Sequence, residues 1–214
     1  LFQTVSAFSL RSLLQPISYV FTDPAVNINL NISDAPSPFD VSTCGRGKGC
    51  YLPNDCVPGA NWLVCSLAFS FRPISAQSIE MELFATIDKD IKSDNFYVAV
   101  GFSDDAKMGD EPTTECSLLS SEKTPTVKAS YNYFIFDENK RGVSNRRIEG
   151  EEGMRSRLFS SPEITTIDGM VYCKFIQNIG GLGNVPMEYL NTTVDTPFHF
   201  LLAKGDALPA GRGK

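Results

Sequence analysis

Met108 lies in a run that reads Asp94-Asn-Phe-Tyr-Val-Ala-Val-Gly-Phe-Ser-Asp-Asp-Ala-Lys-Met-Gly-Asp110. Strand formers fill Phe96 to Val100, and Gly101, Ser103, Asp104 and Asp105 are turn formers that end the run. The segment therefore reads as a strand, a Gly-Phe-Ser corner and a polar loop that presents one methionine. A thioether is a soft ligand and one of the few side chains able to hold a haem iron axially. The competing reading is a core plug, which methionine fills well. The second candidate ligand is His199, the one histidine of the chain. In the strand pattern Phe198 to Ala203 it shares a face with Leu201 and Ala203, opposite Phe198, Phe200 and Leu202. A lone histidine in a strand is more often a packed or edge residue than a ligand.

Six cysteines form the other reactive set, four of them within 22 residues at Cys44, Cys50, Cys56 and Cys65, followed by Cys116 and Cys173. Structural zinc sites show close pairs two to four residues apart. Here the gaps are five, five and eight residues with no histidine near, so disulfides are the preferred reading. Disulfides call for an oxidising compartment. Asn31-Ile-Ser33 and Asn191-Thr-Thr193 are potential glycan acceptors that agree with it. Val26, Ile28, Leu30 and Ile32 alternate with Asn27, Asn29 and Asn31, so a strand there would hold Asn31 on its wet face. The start shows no charged-then-apolar signal pattern, and no apolar run reaches the roughly 18 residues that span a bilayer. The expectation is a mature secreted chain or ectodomain, with any membrane anchor outside this sequence.

Composition narrows the function classes. The formal net charge of −6 argues against nucleic acid and anionic membranes as partners. The short basic pieces Lys140-Arg141 and Arg146-Arg147 read as solvated loop charge. One histidine and six committed cysteines leave little for a hydrolase triad. Gly180-Gly-Leu-Gly183 lacks the Lys-Ser/Thr of a phosphate loop and reads as a turn. The carboxylates Asp104 and Asp105, and Glu149, Glu151 and Glu152, read as solvated, and no EF-hand spacing occurs.

The elements that must position these residues are strands. Leu63, Cys65, Leu67, Phe69 and Phe71 make one apolar face, with Ser66 and Ser70 opposite. Ile79, Met81, Leu83, Ala85 and Ile87 alternate with Glu80, Glu82 and Thr86. Phe96 to Phe102 is apolar on both faces, as in a central strand. Tyr131–Phe136, Ile164–Ile167, Val171–Ile176 and Phe198–Ala203 follow at sandwich-like spacing. Helical periodicity is absent, which predicts less than about 10% helix against a typical third. Residues 137–162 read as one long charged loop. Residues 1–43 form an N-terminal extension that is too short for its own core. Leu10, Leu13 and Leu14 suggest a short amphipathic turn, and Ser18–Phe21 and Val26–Ile32 suggest strands joining the main sandwich. Residues 44–214 form the main domain.

The run Tyr97-Val-Ala-Val-Gly-Phe-Ser-Asp-Asp-Ala-Lys-Met-Gly-Asp110 resembles the DOMON domain, an extracellular haem- or sugar-binding β-sandwich related to the cytochrome domain of cellobiose dehydrogenase. Cys44-Gly-Arg-Gly-Lys-Gly-Cys50, with Pro53, Cys56 and Cys65, resembles the cysteine-rich entry of this domain in ferric-chelate-reductase-like proteins. Gly169-Met-Val-Tyr-Cys-Lys-Phe175 and Phe198-His-Phe-Leu-Leu-Ala-Lys-Gly205 resemble two later strands. The resemblance spans roughly Cys44 to Lys214 and implies an immunoglobulin-like antiparallel β-sandwich. It further implies electron transfer through a b-type haem held between a methionine and a histidine, a pair that raises the reduction potential. Met108 matches the family's methionine. The family's histidine would fall just past Lys214, which leaves His199 as the candidate within this sequence. Phe96, Phe102 and Phe200 are the implied pocket lining. Six cysteines allow about 15 connectivities. Cys116 with Cys173 is favoured because both flank the strands around that pocket. The implied partner is a redox protein. The alternative is a non-catalytic extracellular module that binds carbohydrate or protein, or a structural component of a surface or matrix assembly, without haem.

Overall fold

The structure is a computed structural model, which describes residues 2–4, 8–9, 39, 41–53, 56, 65–87, 95–122, 124–137, 140–148, 153–167 and 169–207. The alternating patterns become strands, and two antiparallel sheets face each other across one apolar core. The order along the chain is β1 (Phe2–Thr4), β2 (Phe8–Ser9), β3 (Gly49–Tyr51), β4 (Leu67–Ser75), β5 (Ser78–Thr86), β6 (Phe96–Ser103) and β7 (Glu111–Leu118). There follow β8 (Thr126–Asp137), β9 (Lys140–Arg147), the one-turn helix α1 (Met154–Leu158), β10 (Phe159–Ile167), β11 (Met170–Asn178) and β12 (Pro197–Asp206). One sheet runs β1-β12-β6-β7-β8-β9, with β2 also pairing β12, and the other runs β10-β11-β5-β4-β3. This is the all-β sandwich that the pattern and the resemblance predict.

The core follows from period-two alternation. Phe96, Val98, Val100 and Phe102 of β6 and Phe198, Phe200 and Leu202 of β12 meet Leu67, Phe69, Phe71, Ile79, Met81, Leu83, Val171 and Phe175 of the other sheet. Burying each large side chain contributes about 1.5–3 kcal/mol. The Cys116–Cys173 disulfide joins β7 to β11 across this core, and both residues are fully buried. Cys44–Cys50 and Cys56–Cys65 close two short loops, so all six cysteines are paired.

A second, smaller core lies on the other side of the five-stranded sheet. Phe39, Cys56 and Cys65 pack there on Ala68, Phe84, Met170 and Tyr172, with Val41 and Leu52 alongside. The cysteine-rich segment is thus a cover for the sheet's second face. That explains why β4, β5 and β11 are buried on both faces over Leu67–Phe71, Met81–Ala85 and Met170–Cys173.

The structure corrects one expectation and extends another. Residues 137–162 are not one loop, because they include β9, α1 and the start of β10. β9 ends its sheet, where basic residues are compatible with a strand because they discourage further pairing. The basic piece Arg146-Arg147 belongs to this strand, and Arg147 is ion-paired with buried Glu115 rather than solvated. Residues of the N-terminal extension do add strands, since Phe2–Thr4 and Phe8–Ser9 pair with β12. The expected turn at Leu10–Leu14, the strands Ser18–Phe21 and Val26–Ile32, Asn31, and Glu149, Glu151 and Glu152 lie outside the described residues.

Candidate functional site

Met108 and His199 come from different elements, and the register of β6 with β12 brings those elements together. His199 pairs with Ser103, the last residue of β6. Alternation puts both side chains on the outer face of the sheet, away from the core. The Ser103 hydroxyl donates to the carbonyl of Lys107 (3.3 Å) and accepts from the amide of Asp105 (3.3 Å). The Asp105 carboxylate accepts from the amide of Lys107 (2.7 Å). Asp and Ser close such turns because their short side chains reach the backbone two residues on. The loop is thereby tied to the end of β6 up to Lys107, one residue before Met108.

The far side of the loop is held just as firmly. Glu111 is fully buried, accepting from the Gly109 amide (2.5 Å) and from the Asn132 amide nitrogen (2.5 Å). Asn145 in turn donates to Asn132 (2.8 Å) and Ser130 (3.0 Å). Burial pushes the Glu111 carboxyl above its ordinary range, opposed by the Asn132 and Gly109 hydrogen bonds and aided by the charges of Asp105 and Asp110. Gly109 takes φ +129, and a Cβ there would collide with the Phe134 ring. At Gly101 the side chains of Glu111, Leu201 and Thr113 close in on the backbone, and a Cβ there would lie 3.3 Å from Glu111.

Met108 and His199 are each half-buried. The Nδ1 of His199 is buried and makes no hydrogen bond. An imidazole nitrogen without a partner and a thioether are donors of the kind that ligate a haem iron, so the chemistry of the pair is compatible with that group.

The expected lining does not join them. Phe96, Phe102 and Phe200 are buried in the core, on the face of the sheet opposite His199. Phe200 packs ring to ring with Phe69 (5.1 Å), Phe71 (4.7 Å) and Phe102 (5.6 Å). Strand alternation forces this separation, because even-numbered residues of β12 and odd-numbered His199 cannot share a face. The apolar groups on the loop's own side are Phe134 against Gly109 and buried Leu201 beside Gly101.

The other sequence candidates are placed plainly. Asp104 and Asp105 are exposed. Asn191 is exposed, its side chain bridging the Leu182 amide and the Gly183 carbonyl. Among the described residues no group of three or more His, Cys, Asp or Glu is arranged to hold a metal ion.

Sequence reasoning missed a buried charge site under the cysteine-rich cover. Lys48, from the loop closed by Cys44–Cys50, pairs with Glu82 of β5. Glu82 also accepts from Ser70 (2.5 Å) and Tyr172 (2.8 Å), while Lys48 lies 5.0 Å from the centre of the Phe39 ring. Burial and the Glu82 charge hold the Tyr172 hydroxyl far above its ordinary range. A buried pair persists only when its remaining hydrogen-bonding capacity is met, as here. The alternation placed Glu82 off the core face, but nothing in the sequence announces that another segment closes over that face.

The fold is a disulfide-bonded antiparallel β-sandwich module, consistent with an extracellular domain. The chain is 29% identical over 78% of its length to the mouse DOMON domain-containing protein FRRS1L, and 28% identical over the same share to the human protein. A putative ferric-chelate reductase 1 homolog of Drosophila melanogaster is 27% identical over 77% of the chain. These relatives, with the sandwich, support a DOMON domain of the ferric-reductase-like type. The chain spans about half (47%) of the mouse and human relatives and 22% of the fly protein. No family profile matches the chain, and no solved structure matches it.

Proposed function

We propose that this DOMON domain is an extracellular electron-transfer module of a larger ferric-reductase-like protein. Met108 would hold one b-type haem together with a histidine, for which His199 is the candidate within this sequence. The observation that carries the reading is the β6–β12 register, which sets His199 beside Ser103, the residue that ties down the Met108 loop. The partnerless Nδ1 of His199 supports it, as does the name of the fly relative. When bound, the haem would supply one-electron chemistry. The chain's own part is to fix two ligands of opposite softness, with Ser103 and Glu111 anchoring the loop on either side of Met108. The partner is then a redox protein. Three intrachain disulfides and two relatives of this type agree with an extracellular setting.

The test is the visible spectrum of the purified protein beside its Met108→Ala and His199→Ala variants. Met108→Ala is expected to shift the Soret band and lower the reduction potential, since the thioether favours ferrous iron. His199→Ala is expected to weaken haem retention. If His199→Ala leaves the spectrum unchanged, His199 is not the second ligand. A second reading, a haem-free module that contacts protein or carbohydrate, is favoured by Phe136, which is 79% exposed and lies tilted against Phe134 at 5.6 Å.

A further inference from the structure

A cleft of about 290 Å³ opens between the end of β9, helix α1 and the loop 182–189. Its walls are mixed, with Ile148, Met154, Leu182 and Tyr189 supplying the apolar part, and the last three are buried. Two guanidinium groups, Arg146 and Arg157, reach it from two different elements. Arg157 is oriented by donating one nitrogen to the Leu182 carbonyl (2.8 Å), which leaves the rest of its fork for a ligand. Arg146 is exposed. Among the described residues neither arginine is in an ion pair, although Glu188 lines the same cleft. Asn191 braces the rim through Leu182 and Gly183, so the loop is shaped before any ligand arrives.

We infer that this cleft is a binding site for a small organic carboxylate, seated with its carboxylate on Arg146 and Arg157 and its body against Met154, Leu182 and Tyr189. Among the described lining residues, two arginines against the one carboxylate of Glu188 favour an anion. A planar carboxylate matches the guanidinium fork with two parallel hydrogen bonds. The apolar part of the wall asks for carbon beside the charge, which either an aromatic or aliphatic acid or the C–H face of a sugar acid supplies. Asn184 and Glu188 are the polar groups available to hydroxyls of the latter. The site is separate from the proposed axial ligands and does not depend on haem.

The test is a chemical-shift titration of the whole chain with sodium benzoate and with sodium glucuronate. Benzamide and glucose serve as neutral counterparts, and inorganic phosphate as a second anion. Saturable shifts confined to residues 146–157 and 182–189 are expected for at least one carboxylate. Whichever of the two binds more tightly identifies the source as an apolar or a sugar acid. Arg146→Gln, chosen because Arg146 supports no other contact, is expected to weaken binding about tenfold or more, the worth of one charge-assisted hydrogen bond. Met108→Ala is expected to leave it unchanged, which keeps this result apart from the haem reading. Equal binding of benzamide and benzoate, tighter binding of phosphate, no saturable shift with either carboxylate, or an Arg146→Gln protein that binds normally would each overturn the assignment.

Discussion

At the scale of single residues, the chemistry depends on how side chains at one end of the sheet are held. Glu111 carries most of that task, because one buried carboxylate fixes both the Gly109 amide and Asn132. Its pKa is raised above the ordinary 4.5 by burial. The sign of the pH effect follows. A raised folded-state value means that the protonated group favours folding. That contribution is fully present below the ordinary carboxylate value and is lost as pH climbs through the folded value. Glu111→Gln removes the titration and gives up the acceptor facing Gly109. The variant is therefore expected to be less stable at acid pH, with a gap to the parent that narrows from about pH 4.5 towards neutrality. Thermal unfolding of both proteins across that range checks it, and a gap that widens with pH contradicts the assignment. Met108 itself was legible in the sequence through the turn formers around it. The role of Glu111 was not, since a glutamate beside Asp110 gives no sign that it points into the protein.

Among the elements, strands with an apolar face were readable and strands whose buried faces are polar were not. β5, β11 and β12 follow from alternation alone. β7 has the sequence Glu-Pro-Thr-Thr-Glu-Cys-Ser-Leu and carries no such signal. It is a central strand because Glu111 finds Asn132 on the adjacent β8 and Glu115 finds Arg147 on β9, one strand further, and hydrogen-bonded polar groups tolerate burial. The edge strand β9 escaped notice for a different reason, that it is charged and no described residue of it is buried. The cysteine-rich segment shows the reverse case, in which the cysteines were legible but the surface they cover was not. Its anchorage can be measured. Lys48→Ala leaves Glu82 buried without its cation and is expected to cost about 3–5 kcal/mol. Adding Glu82→Gln should restore part of that loss, because the uncompensated charge is then gone. Denaturant unfolding of the single and double variants reads this directly. A double variant less stable than Lys48→Ala would show that the pair is not the anchor.

For the whole molecule, two sheets, one inter-sheet disulfide and a covered second face make one module. Phe96, Phe102 and Phe200 illustrate what the sequence could not supply. Their apolarity marked them as buried, but only the strand register shows that His199 faces the other way. Passage through a eukaryotic secretory pathway is expected to leave an N-glycan on exposed Asn191, with no free thiol in the intact mass. Peptide mapping that found Asn191 unmodified and thiols alkylated would count against the extracellular setting. The central claim is haem ligation at the end of the sheet, and the most direct measurement is the visible spectrum of the purified chain after loading with haem and removal of the excess. The account predicts a retained Soret band and a sharp α band on reduction, both altered by Met108→Ala while the far-ultraviolet β signature is unchanged. A protein that releases all its haem, or whose spectrum is indifferent to Met108→Ala, contradicts it and leaves the haem-free module as the reading of this fold.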